Sequence, residues 1–139
     1  MGQKEYIKTF VQKTLGCGCP EEVFAYIDCR SNIPLNNILL NNKINIGNRL
    51  LIFIMEVKNS DSLKETLKSL VDAGKKERDG FGFNRFRLVL FAHNLGTFKQ
   101  HAYDIFNSFE KDERVHLHVI HKDEIKELRA ECREQSKTM

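Results

Sequence analysis

From residue 50 onward, short apolar runs alternate with longer amphipathic segments three times over, and few folds accommodate that order. The runs are the Arg49–Val57 stretch with LLIFIM at its centre, Phe86–Ala92 and Val115–Ile120. Each has strand length, and LLIFIM lacks any polar alternation, as expected of a strand buried on both faces. Between them, apolar residues recur at helical spacing: Leu63, Leu67, Leu70 and Val71, then Phe98, Ala102, Ile105, Phe106 and Phe109. Ser62 with Glu65 predicts a capping box for the first of these helices, and Thr97 is the expected cap of the second. A last helix is expected over Asp123–Arg133, with Ile125, Leu128 and Cys132 inward. Strand and helix repeated in this way call for parallel strands joined by right-handed crossovers.

The first half is less regular. Ile7, Phe10, Val11 and Leu15 follow a helical period over Glu5–Leu15, and Gly16 is placed to end that helix. Pro20 opens a second helix, with Glu21 and Glu22 favoured in its first turn, Val23, Phe24 and Ile27 inward, and Cys29 at its far end. The asparagine-rich stretch Asn32–Asn48 is the hardest to read. Ile38–Ile46 and Arg49–Val57 fit a hairpin turning at Gly47-Asn48. The expectation is therefore one α/β domain over residues 1–139. It comprises a helical pair (1–30), a hairpin (31–57) and an alternating unit (58–139). Its small mixed sheet would have a parallel β-α-β-α-β-α core and one added antiparallel hairpin strand.

Composition bounds the function classes. No stretch approaches the ~18 apolar residues of a membrane span, so a membrane is not an expected partner. The start, MGQKEYIKTF, lacks the apolar run of a secretion signal, and a cytoplasmic location is expected. The net charge of +3 permits a polyanionic partner without demanding one. Four cysteines in a reducing compartment are expected to be free, metal-bound or redox-active rather than bridged.

Two of them fall in Leu15-Gly16-Cys17-Gly18-Cys19-Pro20-Glu21-Glu22. The glycines permit a tight turn, and Cys19 stands at the expected N-cap, where unpaired amides and the helix dipole lower a thiol pKa. Two thiols at this spacing can share a metal or an iron–sulfur centre, or form an easily reduced disulfide. Cys17, Cys19 and Cys29 are thus redox or metal candidates, whereas Cys132 reads as core. Structural zinc sites use paired spacings such as C-x2-C, which this chain lacks. Gly16 and Gly18 also fit a plain helix–helix corner.

His116 and His118 share one face of a strand and form a second, weaker metal pair. Ligands of open parallel sheets bind beyond the carboxyl ends of the strands, which here supply Glu56, Lys58, His93, Asn94 and Thr97. Glu56-Val57-Lys58 is similar to the E-x-K half of PD-(D/E)xK nucleases. The acidic residue those enzymes carry on a neighbouring strand has no counterpart in NNILLNNKINI.

Asp79-Gly80-Phe81-Gly82-Phe83-Asn84-Arg85-Phe86 resembles the RNP1 segment of RRM domains, with Asp79 and Asn84 replacing a basic and an apolar position. The resemblance implies that Phe81 and Phe83 stack on bases. Lys75, Lys76, Arg78, Arg85 and Arg87 add charge suited to a phosphate backbone. It spans eight residues, and between Val57 and Asp79 there is room for a helix but not for the further strand of that fold.

These features leave three readings open: a small binding or redox protein using the cysteine turn, a nucleic-acid-binding module using residues 75–87, or a non-catalytic domain that binds a protein partner or its own copy. No complete set of nucleophile, base and orienting group is visible.

Overall fold

The computed structural model describes residues 5–16, 18, 20–35, 38–58, 62–129 and 132. Strands β1 (Ile27–Leu35), β2 (Ile38–Ile46), β3 (Leu50–Glu56), β4 (Arg85–Ala92) and β5 (Val115–His121) form one mixed sheet in sequence order. β1, β2 and β3 pair antiparallel as a meander, and β3, β4 and β5 pair parallel. Helix α1 (Glu5–Thr9) runs on as a π-helical turn (Phe10–Thr14), and α2 (Leu63–Phe81) and α3 (Phe98–Ser108) are the crossovers between the parallel strands. Short 3-10 turns occupy Glu21–Ala25 and Lys122–Ile125. No described helix is long and apolar enough to cross a membrane.

Successive crossovers that advance in one direction with the usual right hand lie on the same face of a sheet. Accordingly Leu67, Leu70 and Val71 of α2 and Ala102 and Phe106 of α3 share a core with Leu51, Phe53, Phe86, Leu88, Leu117 and Val119. The opposite face packs Ile44, Ile52, Ile54, Val89 and Phe91 under Ile7, Phe10, Val11, Leu15, Val23, Phe24, Ile125 and Leu128. β3 therefore gives alternate residues to two cores, which is why LLIFIM has no polar face. At Gly74 the backbone of α2 comes so close to the Phe86 ring that a Cβ would overlap it. Gly47 and Asn48, turning β2 into β3, both take left-handed φ of 59°.

Several expectations need correction. The helix expected from Pro20 to Cys29 is only the 3-10 turn, and Ile27–Leu35 is a strand. Val23, Phe24 and Ile27 suit a helical period, but the chain gains more by pairing Ile27–Leu35 along almost its whole length with Ile38–Ile46. Two antiparallel strands, not one, thus adjoin the parallel core. Asn32 interrupts β1 with a left-handed φ of 56°, and beyond it Ile33, Leu35, Ile38 and Leu40 join the core under α2 and α3. Ser62 makes no capping box: it is left-handed, at φ 60°, and its side chain accepts no cap hydrogen bond. Thr97 forms none either. A capping box does form at His121, whose Nδ1 accepts from the Asp123 amide while Glu124 accepts from the His121 amide. The last helix consequently opens as a 3-10 turn before residues 126–129 continue as α-helix.

Cys29 and Cys132 are joined in a disulfide, with Cα atoms 5.5 Å apart and a sequence separation of 103. Cys29 is thus a crosslink between β1 and the C-terminal segment rather than an available metal or redox ligand, and Cys132 is its partner. Cys17 and Cys19 lie outside the described residues.

Candidate functional site

β4 begins Arg85-Phe86-Arg87 before turning wholly apolar. Phe86 enters the core under α2, so Arg85 and Arg87 must emerge on the opposite face. The register sets Arg85 beside Leu50, and Arg87 between Ile52 on β3 and His116 on β5. Arg49 joins them because its carbonyl accepts the amides of Asn84, at 2.7 Å, and Arg85, at 3.1 Å. These residues line one wall of a cleft of about 350 Å³, and Gly16, Gly18 and Pro20 contribute to its lining from the N-terminal segment. Among the described residues no acidic side chain lines it. Arg49 and Arg85 are exposed and form no ion pair among the described residues.

Arg87 lies deeper and is only partly accessible. Its Nη1 donates to the Leu15 carbonyl at 2.9 Å and lies 2.9 Å from His118 Nε2. A guanidinium only donates, so His118 accepts through Nε2 and is neutral in this contact. Burial first, then Arg87 and His116, push the His118 pKa down to about 4. Burial, Arg87 and Arg85 also lower His116. Arg87 itself is lowered by burial and by Arg85. Arg87 Nε and His116 Nε2 are buried without a hydrogen-bond partner. Four basic side chains thus share one corner of the sheet without a carboxylate among the described residues.

The other candidates are dispersed. His116 and His118 do share a face, but it is the face covered by the N-terminal segment, and Arg87 stands against His118. A guanidinium in that position opposes a second cation. Among the described residues no group of three or more His, Cys, Asp or Glu is arranged to hold a metal. Arg78 is 5% exposed and donates two hydrogen bonds of 2.8 Å to Asp112, so its charge is consumed in the fold. Lys75 and Lys76 lie on α2. Phe83 is buried at 8% exposure whereas Phe81 is 76% exposed. The segment resembling RNP1 is no strand: Gly80 and Phe81 end α2, and the strand begins only at Arg85. At the carboxyl edge, Glu56 is bonded to Lys122 at 3.3 Å, and the His93 and His121 rings are 6.0 Å apart. Lys58, Asn94 and Thr97 are exposed there.

Sequence reasoning missed Arg49 and Asn84, and it placed Arg85 and Arg87 in a loop surface rather than a cleft. The readable signal was RFR at the head of an apolar run, since two charges at a period of two on a covered strand need a polar destination. No protein-family model, no curated protein and no solved structure matches the chain at a significant level.

Proposed function

We propose that the chain is a small binding protein whose cleft takes an anionic, phosphate-bearing ligand against Arg49, Arg85 and Arg87. Arg87 carries the reading. A guanidinium withdrawn from water is costly unless charge or hydrogen bonds compensate it, and here it meets only a carbonyl and an imidazole. A phosphate oxygen supplies both the missing charge and acceptors for a donor fork. Gly16, Gly18 and Pro20 complete the lining from the N-terminal segment.

Titration calorimetry with inorganic pyrophosphate tests it. The expected result is saturable binding that weakens with added salt, and an affinity loss of about 10-fold or more in Arg85→Gln and in Arg87→Gln. Arg85 is exposed, so its variant reports on the ligand rather than on folding. Wild-type protein that neither binds pyrophosphate nor gains thermal stability from it would refute the proposal.

A further inference from the structure

We propose that the ligand is a single strand of nucleic acid, drawn around the amino edge of the sheet with a phosphate at Arg87 and a base stacked on Phe81. The inference rests on the anion-binding reading and deepens it. The arginine cleft does not stand alone. Arg49 and Asn84 also line a second depression, of about 580 Å³, together with Asn48 and Arg114. Asn48 and Phe83 continue it into a third, of about 340 Å³, bordered by Tyr26 and Phe81. Leu51 in the third faces the core under α2 and α3, whereas Ile46 and Leu50 in the first belong to the other core. The three therefore form one track from the first face of the sheet, over its rim, to the second.

Charge along this track is lopsided. Among the described residues three acidic side chains line it, and each is already bonded to a cation: Asp79 to Arg78 at 3.1 Å, Asp28 to Arg30 at 2.9 Å and Glu77 to Lys43 at 2.6 Å. Arg49, Arg85, Arg87 and Arg114 remain without an ion pair among the described residues. Spaced cations suit a backbone with a phosphate at every residue. An isolated small anion uses one cluster only. At the far end Phe81 is 76% exposed and Tyr26 49% exposed, two accessible ring systems beside that charge. A base offers a ring face to both, which an acidic polypeptide does not. A duplex keeps its bases stacked inside and cannot bend over so short a rim, so the track selects single strands.

Fluorescence anisotropy with a 5′-labelled 12-nucleotide single strand, as RNA and as DNA, tests the inference alongside the pyrophosphate titration. The expected result is binding to the single strand, weaker binding to a duplex of equal length, and steep weakening with salt. Phe81→Ala should weaken the oligonucleotide by roughly 5- to 100-fold and leave pyrophosphate unchanged, while Arg85→Gln weakens both. Arg114→Gln should affect the oligonucleotide alone. Pyrophosphate binding together with no oligonucleotide binding, or with oligonucleotide binding indifferent to Phe81→Ala, overturns the nucleic-acid proposal and leaves the anion cleft standing. Preferential binding of poly-glutamate overturns it in favour of an acidic protein partner. Loss of pyrophosphate binding as well removes both readings.

Discussion

A substitution far from the cleft gives a strict test of how the cleft is held. Gly74 and Gly80 both lie within α2, and exchange of a helical glycine for alanine stabilises a helix by roughly 0.5–1 kcal/mol when nothing else changes. At Gly80 a Cβ meets nothing within 4 Å, so Gly80→Ala should realise part of that gain near the helix end. At Gly74 the new methyl would overlap the Phe86 ring, which is fully buried and set edge-on to Phe53 at 4.9 Å. The ring cannot yield without displacing a second ring. The cost therefore falls at the upper end of the ~1–3 kcal/mol typical of overpacking, for a net loss of about 2 kcal/mol. For a chain of this size that lowers Tm by roughly 6–8 °C. Phe86 lies between Arg85 and Arg87, so a displaced ring should also weaken pyrophosphate binding. The assay is urea and thermal unfolding of both alanine variants, with Gly74→Ala/Phe86→Leu as the coupled pair. The double variant should be less destabilised than the sum of the singles. If Gly74→Ala is as stable as Gly80→Ala, the helix does not approach β4 as described and the reasoning fails.

The Arg78 hydrogen bonds hold the Asp112 pKa at about 2, below the usual carboxylate value of 3.8. Its contribution to stability should be complete above pH 4 and disappear as pH falls towards 2. Asp112→Asn should flatten that part of the acid-unfolding curve, and an unchanged curve would show that the pair is not formed. His118, pushed down to about 4, is neutral in the fold and takes up a proton more readily when unfolded. It should cost stability as pH falls from about 6.5 through 4, and its ring protons should titrate near pH 4 by NMR. Arg87→Gln should raise that midpoint, and a wild-type midpoint near 6.5 would contradict the buried contact. Peptide mapping without reductant should recover Cys29 and Cys132 in one crosslinked pair, and Cys132→Ser should cost about 2–5 kcal/mol of stability because the bridge closes a long loop between residues at a sequence separation of 103. Recovery of both as alkylated thiols would refute the bridge.

What could be read from the chain follows from the length over which a physical period persists. The apolar runs at Leu50, Phe86 and Val115 are separated by helical periods of more than ten residues, and the local signal leaves few orders of elements open. Ile27–Leu35 has no such insulation. Its first inward residue, Ile27, continues the helical spacing of Val23 and Phe24, and only pairing with Ile38–Ile46 tips the segment to strand. The Cys29–Cys132 pair was equally hidden, because nothing local relates residues 103 apart. Composition and a starting segment spoke against bridged cysteines, but pairing depends on where the C-terminal segment crosses the sheet.

The arginine cleft lies at the edge opposite the one where strand direction alone places a ligand, for a related reason. The rule that ligands gather at the carboxyl ends of parallel strands depends on helix N-termini opening there with free amides and polar loops. In this sheet that edge spends several of its polar groups internally, Glu56 on Lys122, and Glu124 and His121 on a cap. The antiparallel meander brings the β2–β3 turn to the amino edge instead, and with it Arg49 and Asn48. β4 enters at the same edge with two arginines before its sequence becomes apolar. Wherever a parallel core is extended by a meander on its first strand, the loops of that meander supply the amino edge with side chains of their own. The charge balance of the two edges, counted after internal pairs are removed, is then a better guide to the ligand than strand direction.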